Sequence, residues 1–227
     1  MKRYLVLENG MTFAGEAFGA SSDVIAEIVF TTAMTGYVET LTDLSYTGQA
    51  VVQTFPLIGN YGVMPEDAES EKISVSAYIV REYCLTPSNF RSRLDLDSYL
   101  KRHGIPGIRG IDTRALTRVL RNYGTMNGMI TDDLKKADTE SIKRYRIEKP
   151  VAEVSTDKIR FLEDNGSKKI ALLDFGVKEN IIRSLQRRKC DIYVLPHNTS
   201  AREILSLRPD GIFLTNGPGD PTDNRDV

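Results

Sequence analysis

The rhythm of apolar and polar positions changes near residue 168, and that change divides the chain. Before it, short apolar runs follow one another: Tyr4-Leu5-Val6-Leu7, Met11-Thr12-Phe13-Ala14-Gly15, then 26–32, 49–55, 74–81 and 126–131. Runs of this length and composition predict strands. Asn9-Gly10 between the first two predicts a two-residue hairpin turn, because both residues can take positive φ. Few helices separate the strands, so a β-rich unit with frequent antiparallel pairing is expected. Two helices come late. One covers 95–103 and stops at Gly104; the other follows an Asp112 cap, buries Ala115, Leu116, Val119 and Leu120, and stops at Gly124.

Residues 132–167 lose the pattern and read as a connecting region. The basic run Lys143-Arg144-Tyr145-Arg146 and the acidic segment 66–71 both read as solvated surface. From Lys168 strands and helices alternate. Strands are predicted at 170–174, 191–195 and 212–215, with a helix over 178–188 that turns Ile181, Ile182 and Leu185 to one face. Ser200-Ala201-Arg202-Glu203 is a capping box opening a further helix. Strand starts recur every 21 residues, the period of a compact βα unit, which implies a parallel, doubly wound sheet with right-handed crossovers. Three parallel strands in about 60 residues bury little surface, and the last has no helix after it. The expectation is a piece of a longer protein, ending at Asn224-Arg225-Asp226-Val227 in a loop, or a unit leaning on the first domain.

Composition narrows the function classes. The 227 residues carry 30 basic and 31 acidic side chains, a formal charge of -1. Divided after Gly166, the two parts carry -3 and +2, so neither is a basic module, and no nucleic-acid or membrane partner is expected. Cys84 and Cys190 are far apart, form no CxxC pair and have no His at ligand spacing, so neither a disulfide framework nor a metal site is expected, and a reducing, cytoplasmic setting is. The apolar stretch after Lys2-Arg3 stops at Glu8, too soon for a signal peptide, and no run approaches the ~20 apolar residues of a membrane span.

Ligands of open α/β sheets bind outside the carboxyl ends of the strands, which singles out Asp174-Phe175-Gly176, Pro196-His197-Asn198 and Asn216-Gly217-Pro218-Gly219-Asp220-Pro221. The first has one glycine where a dinucleotide fingerprint needs three, and no P-loop occurs. Asp174 is single and the third strand ends in Thr215-Asn216, which rules out a phosphoacceptor receiver domain. In the third loop two glycines flank a proline, so bare backbone can approach a ligand and offer N–H groups to it, as an oxyanion hole does. Pro218 lacks an N–H, which favours a small carbonyl substrate over phosphate. On the residues alone, a tight structural turn explains this loop equally well.

The segment Leu214-Thr215-Asn216-Gly217-Pro218-Gly219-Asp220-Pro221 resembles the stretch before the nucleophile elbow of class I, triad glutamine amidotransferases. Earlier motifs, among them Thr35-Gly36-Tyr37, Glu39-Thr40-Leu41-Thr42-Asp43, Ser45-Tyr46, Pro56-Leu57-Ile58-Gly59-Asn60-Tyr61-Gly62, Ser88-Asn89-Phe90-Arg91, Gly110-Ile111-Asp112-Thr113-Arg114 and Asp174-Phe175-Gly176-Val177-Lys178, resemble the glutamine-hydrolysing small-subunit family of carbamoyl phosphate synthetases. The resemblance spans essentially the whole chain.

It implies an α/β protein with a β-rich (β/β/α) domain at 1–150, a linker at 151–167, and at 168–227 the first half of a flavodoxin-like doubly wound parallel sheet. It also implies a parent that hydrolyses glutamine to glutamate and ammonia and passes ammonia to a large synthetase subunit. That subunit makes carbamoyl phosphate, for arginine and pyrimidine biosynthesis, using bicarbonate and ATP. No cofactor is expected in the small subunit, since ATP belongs to its partner. By the same resemblance Ser45 and Gly219 contact glutamine and Gly217 offers its N–H to the oxyanion. Ser45, placed in the first domain by chain order, would put the site between the domains. The family nucleophile, a Cys in a Gly-x-Cys-x-Gly-x-Gln elbow with later His and Glu partners, is expected beyond Val227. Cys84 and Cys190 read as buried apolar residues, and neither His103 nor His197 matches the base, so the chain as given is expected to be inactive. The rival reading is a non-catalytic docking module for a synthetase subunit.

Overall fold

The computed structural model describes residues 1–223; the predicted chain end at 224–227 lies outside them. The chain forms two compact units. The first comprises Met1–Thr42, Gly48–Ala68 and Ile73–Arg146. The second comprises Asp43–Thr47, Glu69–Lys72 and the chain from Ile147 on.

In the first unit β1 (Lys2–Leu7), β2 (Thr12–Gly19), β3 (Val24–Thr31), helix α1 (Tyr37–Thr42), β4 (Gln49–Gln53), β5 (Leu57–Ile58), β6 (Ala77–Ile79) and β7 (Glu82–Tyr83) are followed by α2 (Leu96–Arg102), β8 (Pro106–Arg109), α3 (Thr113–Tyr123), β9 (Met126–Thr131) and α4 (Thr139–Arg144). The strands close into a barrel in the order β1-β2-β8-β6-β4-β3-β9, while β5 and β7 pair separately. Antiparallel pairing holds for β1 with β2 and β9, β2 with β8 and β3 with β9. The chain of β3, β4, β6 and β8 is parallel, more than the sparse predicted helices suggested.

Alternate residues turn inward. Leu5, Leu7, Ala26, Ile28, Ala50, Val52, Ala77, Ile79 and Ile108 form the barrel core, with Leu116 and Leu120 of α3 packed into it. As predicted, Asp112 caps α3, its carboxylate accepting the Ala115 N–H; Asp95, read as the first residue of the earlier helix, is instead the cap of α2 and accepts the Ser98 N–H. Ala115 and Val119, however, are only partly buried, and Thr113 is buried in their place. The first turn also differs from expectation. Leu7 N–H donates to Met11 O at 2.8 Å and only Gly10 has positive φ (83°), so three residues, 8–10, make the turn. Asn9 instead accepts the Met11 N–H through its side chain at 3.0 Å, and with one left-handed residue the two-residue geometry is not met.

Arg3 is 1% exposed. Its guanidinium meets the Asp132 carboxylate at 2.7 and 2.9 Å and donates to the carbonyls of Ala20 (2.9 Å) and Gly107 (3.1 Å). One side chain thereby ties β1 to β8 and to the segments that follow β2 and β9.

The second unit contains α5 (Pro150–Val154), β10 (Arg160–Leu162), β11 (Lys168–Asp174), α6 (Glu179–Arg187), β12 (Cys190–Pro196), α7 (Ala201–Ser206) and β13 (Gly211–Leu214). The sheet order is β10-β12-β11-β13. β12, β11 and β13 are parallel, as predicted, and β10 adds an antiparallel edge. β10 and α5 lie in the stretch read as a linker; three residues among charges are too few to show alternation, yet they satisfy the open backbone edge of β12. Leu172, Ile192 and Val194 pack with Ile182 of α6 on one face. Ala171, Leu173 and Leu195 pack with Ile204 of α7 on the other.

Candidate functional site

The site lies at the carboxyl ends of the parallel strands of the second unit, where the crevice of an open α/β sheet is expected. Asp174 ends β11, is 4% exposed, and accepts the N–H groups of Gly176 (3.0 Å) and Val177 (2.9 Å) with one oxygen and that of Thr156 (2.9 Å) with the other. Thr215, just beyond β13, accepts the Phe175 N–H at 2.9 Å. These bonds fix the first and third predicted loops side by side. At Gly217 a Cβ would sit 2.4 Å from the Phe175 carbonyl oxygen, so no larger residue fits without moving backbone. Gly219 has φ of 80° and is exposed. The adjoining Asp220 accepts the Thr222 N–H and hydroxyl at 2.8 and 2.7 Å, which lowers its pKa.

Ser45 stands in the second unit, in the short helical turn Leu44–Tyr46. Chain order assigned it to the first domain, but Asp43–Thr47 packs with the later segments. The Asn216 amide nitrogen donates to Ser45 Oγ at 2.8 Å and to the Gly176 carbonyl at 2.9 Å. Asp43 accepts the Ser45 N–H at 3.0 Å and pairs with Lys178 Nζ at 2.8 Å. Burial works to lower the Lys178 pKa, but the Asp43 hydrogen bond and charge, helped by Glu69, outweigh it and raise the value. Burial first and the Asp43 charge second push the Tyr46 phenol up.

Glu69 corrects the reading of the acidic segment as solvated. It is 8% exposed, and its carboxylate accepts the backbone and side-chain N–H groups of Asn180 at 3.0 and 2.8 Å while its carbonyl accepts the Glu179 N–H at 2.9 Å. A carboxylate from far along the chain thus caps α6, whose own N-cap, Lys178, makes no side-chain cap bond. The basic run Lys143, Arg144 and Arg146 is exposed, as expected.

The structure brings Ser45 to the Asn216–Gly219 loop, but among the described residues no cysteine joins them. Cys190 is buried at the amino end of β12, opposite the loop ends, and Cys84, only half-buried rather than buried, belongs to the first unit and donates to Thr86 O. His103 closes α2 in the first unit. His197 follows β12; its N–H donates to Ser155 Oγ at 2.9 Å and its Nδ1 is buried without a partner among the described residues. No group of three or more His, Cys, Asp or Glu among the described residues could hold a metal, and no described helix is long and apolar enough to cross a membrane. What remains is a cradle of bare backbone, one serine hydroxyl and one amide, suited to holding a small polar molecule. Sequence reasoning missed Asn216, Asp43, Lys178 and Glu69. Asp43-Leu44-Ser45 carried the one available signal, an Asp two residues before the N–H it accepts.

Residues 5–130 match the family profile "Carbamoyl-phosphate synthase small chain, CPSase domain", and residues 171–226 match "Glutamine amidotransferase class-I". The chain is 48% identical to the carbamoyl phosphate synthase small chain of Clostridium perfringens over 225 residues, covering 98% of this chain and 64% of that one. It is 49% identical over 227 residues to the small chain of Bacillus caldolyticus, covering 98% and 62%. To the pyrimidine-specific small chain of Bacillus subtilis it is 48% identical over 225 residues, covering 98% and 62%. The chain thus spans less than two thirds of the length of these relatives.

Proposed function

The chain belongs to the carbamoyl-phosphate synthase small-chain family, and on that premise we propose that its second unit is the glutamine cradle of a glutamine-hydrolysing synthase. In the whole enzyme glutamine gives glutamate and ammonia, and a large synthetase subunit uses the ammonia, with bicarbonate and ATP, to form carbamoyl phosphate. The product serves pyrimidine biosynthesis, after the name of the Bacillus subtilis relative, and arginine biosynthesis, in the cytoplasm. ATP and its chemistry belong to the partner. The sheet is the first half of a flavodoxin-like fold.

The observation that carries this reading is the contact of Ser45 with the Asn216–Gly219 loop. Ser45 Oγ and the N–H groups of Gly217 and Gly219 are the donors offered to glutamine, and Gly217 N–H faces the charge that develops on the amide oxygen. Hydrolysis needs a thiolate beside a base. Cys190 is buried at the wrong end of the sheet, so these residues hold glutamine without cleaving it.

The rival docking reading gains from the apolar side chains exposed in the first unit, Leu57 of β5 with Phe55, Leu85 and Phe90 (95% exposed). Titration calorimetry with glutamine, an assay for released glutamate, and co-purification with the large subunit separate the two. Glutamine uptake without glutamate release is expected. Uptake of the large subunit with no affinity for glutamine would establish docking alone, and glutamate release would overturn the account of the missing nucleophile.

A further inference from the structure

The Asn216 side chain has a fixed orientation. The Gly176 carbonyl can only accept, so the amide atom facing it at 2.9 Å is the nitrogen. The second N–H of the same group points to Ser45 Oγ at 2.8 Å. A serine hydroxyl has one proton to give. Because Asn216 fills the acceptor side of Ser45 Oγ, that proton is left for another acceptor. The backbone of Ser45 is held independently, through its N–H to Asp43 and from Asp43 to Lys178. Asn216 Oδ1 is buried and has no partner among the described residues, so the amide is held by its two donated bonds.

We propose that Asn216 is a positioning residue which sets the direction of the Ser45 hydroxyl, so that Ser45 donates its proton to an acceptor oxygen of the bound amino acid. The acceptor class is a carboxylate or an amide carbonyl, the two kinds of oxygen that glutamine carries. This rests on the glutamine reading for its ligand, but not for the geometry of the free protein.

Two measurements on the full chain keep these parts separate. Glutamine affinity is measured for the wild type, Ser45→Ala, Asn216→Ala and the double variant. Each single change is expected to weaken binding about tenfold, the scale of one hydrogen bond, and the double variant no more than Ser45→Ala alone, since without the hydroxyl there is nothing left to direct. Asn216→Asp keeps the shape but offers an acceptor where the nitrogen stood, so that it loses the bond to the Gly176 carbonyl, as Asn216→Ala does, and differs from Asn216→Ala in what it offers Ser45. It draws the Ser45 proton to itself and is expected to bind more weakly than Asn216→Ala. In the ligand-free protein, three-bond coupling constants at the Ser45 side chain are expected to report one rotamer in the wild type and averaging in Asn216→Ala.

Additive losses in the double variant, or wild-type affinity in Asn216→Ala beside a weakened Ser45→Ala, would overturn the positioning role. So would a Ser45 rotamer that ignores Asn216. Absence of glutamine binding to the wild type, with the rotamer still governed by Asn216, would sink the glutamine reading and leave the geometry standing. Asn216→Asp, being isosteric, supplies the comparison if Asn216→Ala unfolds.

Discussion

The two units solve the problem of a sheet edge in opposite ways. In the first, the strands close on themselves, and closure removes the unpaired edge. In the second, β13 pairs among the described residues with β11 alone, and its Ile212 and Leu214 are 54% and 64% exposed. Closure places the decisive polar group inside the barrel, at Arg3. The open sheet places its polar groups at the strand ends, where Asp174, Thr215 and Asn216 shape loops instead of locking strands. The barrel therefore has its specificity in its pairing, and the open sheet has its chemistry in its loops.

The largest expected effect attacks the barrel. Arg3→Ala would leave the carbonyls of Ala20 and Gly107 short of a donor and Asp132 without its guanidinium, and breaking such a buried pair costs about 3 kcal/mol or more. Urea unfolding should show the first unit's transition shifted by that amount and the second unit's unmoved. The Arg3 hydrogen bond holds the Asp132 carboxyl below its ordinary value. A depressed carboxylate contributes stability above its unfolded pKa, about 3.9, and loses it as pH falls through the folded value. The gap between the wild type and Asp132→Asn should therefore be full near pH 6 and shrink below about pH 4. A gap that persists at low pH would remove the charged lock from the comparison.

The same contrast explains what was legible in the sequence. The second unit announced itself because β11, β12 and β13 follow one another through short helical crossovers, and the regular spacing of those strands and the Ser200 capping box follow from short-range geometry. Six of the barrel's seven strands were found one by one, but β8 (Pro106–Arg109) was missed between the two helices, and the order was not legible, since β6 sits between β8 and β4 and nothing in residues 74–81 names those partners. Two-residue and three-residue strands such as β5, β7 and β10 are too short to show alternation. The site followed the same rule. The Gly217-Pro218-Gly219 loop and, through the family resemblance, Ser45 were readable as motifs. The links that assemble them, Asn216 to Ser45, Asp43 to Lys178 and Glu69 to Asn180, join residues 111 to 171 positions apart and are set by tertiary packing.

A middle-sized effect tests whether the second unit depends on segments borrowed from early in the chain. Glu69→Ala removes the acceptor for two Asn180 donors at the start of α6, a loss of about 1 kcal/mol by analogy with N-cap deletions. Glu69→Gln keeps one acceptor oxygen for the Asn180 backbone N–H, loses the charge near the helix dipole and turns the second oxygen into an NH2 facing the Asn180 side chain, and should cost less, about 0.5 kcal/mol. Both should fall on the second unit's transition alone. A loss confined to the first unit would mean that 69–72 belongs with the barrel and would undo the division.

The smallest effect is expected at the open edge itself. Leu214 and Leu172 share one sheet, but Leu172 is fully buried against the α6 face whereas Leu214 is 64% exposed. Truncating a buried leucine costs about 2–5 kcal/mol, through lost transfer energy and the cavity left behind. An exposed one leaves no cavity and has little burial to lose, so Leu214→Ser should change stability by no more than about 0.5 kcal/mol. Serine also has lower strand propensity, but at an edge with one partner strand that preference is a fraction of a kcal/mol. Chemical denaturation of the variant decides the point. A loss above about 1 kcal/mol would mean that something covers this face in solution, and the sheet would then be no more open than the barrel.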